Sequence, residues 1–209
     1  MFTYQYQQPE EYHFSLDSIQ LAEFVAVALK SHADLTSLRV LDLCAGCGVI
    51  GLQLSWHLRE LKQFDFVEVQ DLYSTYFHKN IAIVNRPELE LRWHLLNYDA
   101  LLNNAWKNKY DLIISNPPYF LPEHGMLSPS KFKNHCRFFL DSSFENFILA
   151  MANALSHRGK AYFLLRPLLQ HGYDMLANIR AILQDTTLSI EKVGNIRGTD
   201  VICLIKPDK

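Results

Sequence analysis

Several classes of protein are excluded by what this sequence has little of. Its 209 residues include only four cysteines, eight glycines and eight prolines. It is therefore neither a secreted scaffold held by disulfides nor a low-complexity chain. Positive charge is not in excess, since 20 basic and 22 acidic residues give a net charge of -2. This balance excludes binding of nucleic acid through bulk positive charge, although it allows a local basic surface.

Long hydrophobic runs are also missing from the sequence. The most apolar helical stretch, residues 22–29, contains Glu23 and is much shorter than the roughly 20 apolar residues that a membrane span needs. The first residues have neither the basic start nor the apolar region of a signal peptide. We therefore expect a cytoplasmic protein with no membrane partner. With 49% hydrophobic residues, the chain can bury a large core.

Hydrophobic periodicity predicts one α/β domain. Short apolar strands alternate with helices along most of the chain, which is typical of βαβ units and a parallel sheet. Two final strands around a loop that contains Gly194 and Gly198 predict a hairpin. We predict a Rossmann-like three-layer sandwich with a seven-stranded, mostly parallel sheet and an antiparallel strand from the C-terminal hairpin. Residues 1–35 are expected to form a segment and a helix packed on a core domain of residues 36–209.

The predicted elements follow one another closely. A helix of about fifteen residues begins at Asp17, and a second helix is expected from about Gly48 to Leu61. The stretch between residues 119 and 140 is expected to be irregular. The helix after it is expected to run through residues 144–155 and to end by Gly159. The other predicted helices are 72–84 and 176–182, and the predicted strands are 38–43, 64–69, 89–95, 111–115, 161–165, 188–193 and 201–205.

A glycine-rich loop lies between the first predicted strand and the following helix. Gly46, Gly48 and Gly51 form the pattern G-x-G-x-x-G, and Glu68 stands at the end of the next strand. A carboxylate there can accept both ribose hydroxyls of a nucleoside cofactor. A dinucleotide would place its pyrophosphate on the helix N-terminus, whereas Asp42 would repel that group and favours S-adenosylmethionine. The alternative for Asp42 is a side chain that accepts from N–H groups of the loop.

Cys44 and Cys47 in the same loop form C-x-x-C, the spacing of redox motifs and of half a zinc site. Cys136 and Cys203 are far apart and supply no second pair, so we expect no metal. The favoured alternative is that Cys44 and Cys47 are small buried side chains in a glycine loop.

The segment Asn116-Pro117-Pro118-Tyr119 directly follows an apolar strand. A conjugated amino group is a poor nucleophile because its lone pair is delocalised. The side-chain carbonyl of Asn116 and the backbone carbonyl of Pro117 can accept from its two N–H bonds, and the prolines hold these acceptors in place. Tyr119 can stack on a planar substrate. The alternative is a rigid turn with a packed aromatic, but its place on the same sheet edge as the glycine loop favours catalysis.

Residues 40–52 together with Asn116 to Tyr119 resemble the class I S-adenosylmethionine-dependent methyltransferases of the small-domain group. Within that group the sequence is most similar to the bacterial tRNA adenine-N6 methyltransferases that modify valine tRNA. The resemblance covers roughly residues 12–205 and includes the segment from Tyr12 to Ser18.

The resemblance implies S-adenosylmethionine as the cofactor and N6-methylation of an adenine in tRNA, or in rRNA, as the activity. Glu68 is then expected on the ribose and Asp99 near the cofactor adenine, while the other cofactor residues are Asp42, Gly46 and Gly48. One departure leaves the substrate open. Members of the group often carry Ala-Arg-His-Glu where this chain has Cys136-Arg137-Phe138-Phe139.

A basic stretch follows the Asn-Pro-Pro-Tyr segment. Residues 125–140 contain no acid, and phenylalanines are interleaved with Lys131, Lys133 and Arg137. Such a stretch could contact tRNA or another structured RNA through phosphates and stacked bases. The alternative is a solvated loop whose phenylalanines face the core.

Size separates the possible substrates further. About 37 residues precede the first core strand, so we expect neither the extra domain of DNA adenine methyltransferases nor that of release-factor glutamine methyltransferases. A compact RNA enzyme is therefore the leading hypothesis. The rivals are methylation of a glutamine amide or small-molecule amine, a non-catalytic scaffold of the same fold, and a dinucleotide oxidoreductase.

Overall fold

A seven-stranded sheet forms the middle layer of the computed structural model, which describes residues 4–122, 125–168 and 172–208. The strands are β1 Arg39–Leu43, β2 Gln63–Glu68, β3 Glu90–Leu95, β4 Tyr110–Ser115, β5 Leu155–Leu165, β6 Ser189–Ile196 and β7 Thr199–Ile205. Their order in the sheet is β3-β2-β1-β4-β5-β7-β6. The first five run parallel, whereas β7 is antiparallel to both β5 and β6.

Helices cover both faces of this sheet. They are α1 Leu16–Leu29, α2 Val49–His57, α3 Leu72–Val84, α4 Lys131–Arg137, α5 Phe144–Ala154 and α6 Met175–Ile182. One apolar cluster joins the sheet to α1, α2 and α3, and a second joins its other face to α5 and α6. Because side chains alternate along a strand, Val40 of β1 enters the first cluster and Leu41 enters the second. The predicted three-layer sandwich is confirmed.

The C-terminal hairpin turns through two residues with positive φ, Arg197 at 50° and Gly198 at 88°. Two such residues match the right-handed twist of the strands that they connect. The predicted antiparallel strand, β7, lies between β5 and β6, so that β6 occupies the edge. At the turn, Nε of Arg197 makes an ion pair of 3.1 Å with Asp17 at the start of α1. The hairpin therefore contacts the first helix.

The segment before α1 packs on the helices that follow it in sequence. The hydroxyl of Tyr6 donates to the side chain of Gln53 in α2 at 3.1 Å. The backbone of Gln7 exchanges two hydrogen bonds with the Asn80 amide of α3, at 2.6 and 3.0 Å. No helix in the described ranges combines the length and apolar character that a membrane crossing requires.

Three predicted boundaries differ from the observed ones by four or more residues. Helix α2 ends at His57, not near residue 61, because Leu58 leaves the helical conformation while Leu58 and Leu61 remain buried. The apolar pattern continues past His57 because Leu58 and Leu61 are buried in the segment that follows the helix. Helix α5 ends at Ala154, and β5 begins at once at Leu155 instead of after Gly159.

The stretch from 119 to 140 is also not wholly irregular, because it contains α4. The hydroxyl of Ser130 accepts from the backbone N–H of Lys133 at 3.3 Å and caps this short helix. Helix α4 lies beside the sheet edge at which β1, β2 and β4 end, and residues at the end of α4 line a cavity there.

Candidate active site

A cavity of about 370 Å³ opens at the carboxyl ends of β1, β2 and β4. Parallel α/β sheets bind ligands at this edge. Its walls come from the loops after these three strands, from the start of α1 and from the end of α4. Of the eight residues predicted to be catalytic or to bind the cofactor, the structure brings five together here: Gly46, Glu68, Asn116, Pro117 and Tyr119.

Glu68 is held in the cavity wall by backbone groups. Its side chain accepts from Gly46 N at 2.9 Å through one oxygen, and from Val69 N and Gln70 N at 3.0 and 2.9 Å through the other. Burial, with only 6% of the residue exposed, raises the pKa of the carboxyl, while these N–H groups act against that shift. A carboxylate offers about four acceptor positions, so roughly one remains for a ribose hydroxyl in this conformation.

The two predicted cofactor glycines have different surroundings. Gly46 lines the cavity with φ of 53°, and a Cβ there would lie 3.7 Å from the ring of Tyr73. Gly48 lies behind the cavity wall with φ of 79°, and a Cβ there would be only 2.6 Å from the ring of Phe77. Gly46 therefore allows the backbone to approach a ligand, whereas Gly48 allows α2 to pack against α3.

Asp42 lies beneath the N-terminal end of α2 and not at the cavity surface. Its Oδ2 accepts from the backbone N–H of Gly51 at 2.8 Å. Its Oδ1 is buried and has no hydrogen-bond partner among the described residues. The contact with Gly51 corresponds to the alternative considered for Asp42, a side chain that binds backbone groups. A direct contact with the cofactor stays a prediction.

Replacing Asp42 by asparagine is expected to alter how stability depends on pH. Burial raises the pKa of the Asp42 carboxyl well above its usual 3.8, so the folded protein holds this proton more tightly than the unfolded chain. The contribution of Asp42 to the free energy of unfolding therefore falls as pH rises above 3.8 towards the raised value. Asparagine keeps an acceptor for Gly51 and removes this titration.

The stability of Asp42→Asn relative to the wild type should consequently increase with pH through that window. Urea unfolding at several pH values between about 4 and 7 measures this difference. Asp185→Asn changes an exposed carboxylate in the same way and serves as the control. A difference that stays flat or decreases with pH contradicts the expectation.

Asp99 is near the cavity without lining it. It lies in the 3-10 turn Tyr98–Leu102, and its carboxylate accepts from Ser142 Oγ at 2.5 Å. Its neighbour Tyr98 reaches the cavity, as does Asp141, whose carboxylate is 2.8 Å from His135 Nδ1. Sequence reasoning missed Asp141, since a single acid in a loop carries no distinguishing pattern.

Asn116 is oriented by two hydroxyl groups. Its Nδ2 donates to Ser18 Oγ at 2.9 Å, and its Oδ1 accepts from the Tyr119 hydroxyl at 2.6 Å. An amide oxygen has two lone pairs, so one remains for a further N–H. The backbone N–H of Tyr119 donates to the carbonyl of Arg137 at 3.1 Å, which ties this loop to α4. The acceptor is thus positioned by contacts within the protein.

Ser18 was missed as a site residue by the sequence analysis, although it belongs to the segment used for the resemblance. It is 4% exposed, lies in α1 and lines the cavity. Ser18 and Asn116 are far apart in sequence, and no spacing pattern indicates that they meet. The segment from Tyr12 to Ser18 was the single sequence signal that could have pointed to Ser18.

Replacing Ser18 by alanine should lower kcat for a reaction at the Asn116 acceptor by about tenfold, because the Asn116 amide loses the partner that fixes its orientation. A smaller change is expected in KM, since Ser18 acts through Asn116. Ser18→Thr keeps the hydroxyl and is the control, expected to retain most activity. Steady-state kinetics of both variants measure kcat and KM separately. An unchanged kcat in Ser18→Ala would show that Ser18 does not position Asn116.

The cysteines of the C-x-x-C pattern are both free, and Cys47 is buried. Burial raises the pKa of the Cys47 thiol to about 12 and that of Cys44 well above its usual value. Both are therefore thiols at neutral pH, whereas redox exchange and zinc binding use thiolates. In the described ranges, no three His, Cys, Asp or Glu side chains are grouped as a metal site requires.

The predicted RNA-contacting stretch is divided by the fold. Phe138 is 1% exposed and Phe139 is also buried, so both aromatic rings belong to the core. Lys131 is exposed, Lys133 is half-buried, and Arg137 lines the cavity. The basic half of the stretch is thus accessible, while these two phenylalanines are unavailable for stacking on bases.

The strand order, the helical layers and a cavity at the glycine loop define the Rossmann-like fold of methyltransferases. A solved structure with this fold is magnesium protoporphyrin IX methyltransferase from Synechocystis PCC 6803 with bound S-adenosylmethionine. The two structures superpose with a TM-score of 0.61 at 16% identity, over 90% of this chain and 79% of that chain. This likeness establishes the fold alone.

Residues 14–128 match the family described as methyltransferase small domain, and this match spans more than half of the chain. The chain therefore belongs to that family, and the predicted family is confirmed. The tRNA1(Val) (adenine(37)-N6)-methyltransferase of Erwinia tasmaniensis is 34% identical over 110 residues, 50% of this chain and 42% of the relative. The protein of the same name from Glaesserella parasuis is 30% identical over 142 residues, 66% of this chain and 56% of the relative. The chain spans about half the length of these curated relatives.

Proposed function

We propose that this protein transfers the methyl group of S-adenosylmethionine to the exocyclic N6 of an adenine in tRNA. The observation that carries the proposal is the Asn116 amide, which Ser18 and Tyr119 orient at the same cavity that Glu68 lines. The names of the relatives from Erwinia tasmaniensis and Glaesserella parasuis support adenine in tRNA as the substrate. A tRNA substrate also agrees with the cytoplasmic location expected from the sequence.

Four observations indicate that the cavity fits S-adenosylmethionine. Its volume of about 370 Å³ lies in the usual range for cofactor sites. Glu68 retains an acceptor position for a ribose hydroxyl, and Gly46 leaves room where a side chain would stand. Asp141 supplies a further carboxylate in the wall. When bound, the cofactor supplies an electrophilic methyl group on a sulfonium.

The amino group would be held by two acceptors of the chain. The free lone pair of Asn116 Oδ1 would accept one N–H, and the backbone carbonyl of Pro117 would accept the other. Both N–H bonds are then directed to fixed oxygens, which favours a tetrahedral nitrogen whose lone pair can attack in line. Pro117 is buried and Pro118 follows it, so the backbone at these acceptors has little freedom.

Tyr119 would contact the face of the base. Its ring lines the cavity, and its hydroxyl is held by Asn116, so the ring has a defined position beside the acceptor. A base that is extruded from a stacked loop needs such an aromatic partner. Lys131, Lys133 and Arg137 would supply contacts to the RNA backbone.

The test is transfer of labelled methyl from S-adenosylmethionine to unmodified tRNA, followed by mass spectrometry of the nucleosides. The expected product is N6-methyladenosine in the RNA. Protein from the same lysate is offered in a parallel reaction. Label that enters protein and not RNA would replace the proposal with amide methylation, and absence of S-adenosylmethionine binding in a calorimeter would indicate a scaffold.

A further inference from the structure

Two arginines flank one aromatic ring at the cavity. Arg137 is the last residue of α4, and Arg166 directly follows β5. Each guanidinium carbon lies 5.6 Å from the centre of the Phe120 ring. Both arginines line the cavity, as does Phe120, the residue immediately after the Asn-Pro-Pro-Tyr segment. The sequence analysis did not single out Arg166.

In the described part of the chain, no carboxylate forms an ion pair with Arg137 or Arg166. Two acids that line the cavity are engaged elsewhere, Asp17 with Arg197 and Asp141 with His135. As far as the described residues go, both guanidinium groups are therefore available to an anion.

The arginines lie on the solvent side of the cavity. Arg166 is exposed and Arg137 is half-buried, whereas Glu68 is buried in the cavity wall. The carbonyl of Arg137 accepts from the backbone N–H groups of Tyr119 and Phe120 at 3.1 and 3.0 Å. The backbone of Arg137 is thus fixed to the acceptor loop.

We infer that Arg137 and Arg166 together bind a phosphodiester group of the RNA next to the base that enters the acceptor site. The inference rests on the proposed function and assigns the substrate's backbone to this arginine pair. A guanidinium presents a planar fork of donors that matches phosphate oxygens, and an aromatic ring holds such a plane in place.

The position agrees with the chemistry of an extruded nucleotide. A base that leaves its stack carries its flanking phosphates to the edge of the pocket, where the protein must contact them. Lys131 and Lys133 do not line the cavity and could contact only more distant phosphates. A neutral amide substrate would give the arginine pair no such partner.

The experiment measures binding of a fluorescently labelled tRNA transcript by anisotropy, with no cofactor present. Wild type, Arg137→Gln and Arg166→Gln are compared at salt concentrations between about 0.05 and 0.2 M. Each variant should raise Kd about tenfold, and the slope of log affinity against log salt should become shallower by about 0.7 to 0.9. Arg180→Gln, at an exposed arginine of α6, is the matched control and should change neither quantity.

Arg166→Lys provides a second variant that retains the charge. It should keep most of the salt slope but lose affinity, because lysine cannot form the planar fork. Thermal unfolding of each variant shows that it is folded. Unchanged salt slopes in both glutamine variants would overturn the inference, as would a wild type that binds an acidic peptide through these arginines and does not bind tRNA.

The assay separates this inference from the proposed function. Arginine-dependent tRNA binding without any methyl transfer would retain the phosphate site and refute the methylation of tRNA. Methylation of tRNA would support the proposed function, and salt slopes that do not depend on Arg137 or Arg166 would then refute the phosphate site.

Discussion

The Asn116→Ala variant should transfer methyl groups to tRNA about 100- to 1000-fold more slowly than the wild type, which is the usual loss when a preorganised polar group is removed. Asn116 Oδ1 is the side-chain acceptor that the cavity presents, and Ser18 and Tyr119 hold it in place. Alanine leaves the substrate amine with a single acceptor at Pro117. The lone pair of that amine then stays delocalised.

Two measurements distinguish loss of catalysis from loss of structure. Calorimetric affinity for S-adenosylmethionine should be nearly unchanged, because Glu68 and Gly46 are not altered. Asn178→Ala, on α6 and outside the cavity lining, is the matched control and should retain full activity. Asn116→Asp keeps a side-chain acceptor and should lose less of the methyl-transfer rate than Asn116→Ala. Full activity in Asn116→Ala would remove Asn116 from the proposed mechanism.

The Gly48→Ala variant should be less stable than the wild type by about 3 kcal/mol, from the cost of a left-handed backbone plus steric overlap. Gly48 has φ of 79°, and the added Cβ would be 2.6 Å from the Phe77 ring. That ring cannot easily move. Phe77 is 1% exposed and its centre lies 4.6 Å from that of Phe66 and 4.5 Å from that of Trp93.

Gly198→Ala is a matched control for the backbone contribution. Gly198 has φ of 88°, and a Cβ there would meet nothing within 4 Å, so this variant should lose only about 1 kcal/mol. Urea unfolding measures both free energies. The overlap itself is tested by Gly48→Ala combined with Phe77→Leu, in which the two losses should not add. Equal losses in Gly48→Ala and Gly198→Ala would show that contact with Phe77 costs nothing.

The sheet and much of the candidate site were predictable because they depend on local patterns. The carboxyl ends of parallel strands meet at one edge, so Glu68 at the end of β2 and Asn116 after β4 had to approach the glycine loop. The alternation of β1 also determines that Asp42 lies on the α2 face of the sheet. The sequence did not show that the carboxylate of Asp42 would accept a hydrogen bond from the backbone N–H of Gly51.

Contacts that depend on how elements pack were not predictable. Ser18 reaches Asn116 only because the fold brings the start of α1 to the loop after β4, and Arg166 resembles any surface arginine until β5 places it beside Phe120. Helix α4 has seven residues, too few to show a periodic pattern, and its start depends on the Ser130 cap. The end of α2 was missed because buried residues continue beyond it.

The ion pair between Arg197 and Asp17 joins the C-terminal hairpin to the helix that carries Ser18. The two residues are far apart in the sequence, since 197 minus 17 is 180 positions. A contact between such distant residues forms slowly, because a large loop of chain must close before it stabilises anything. We therefore expect the docking of the hairpin on α1 to be a late event in folding.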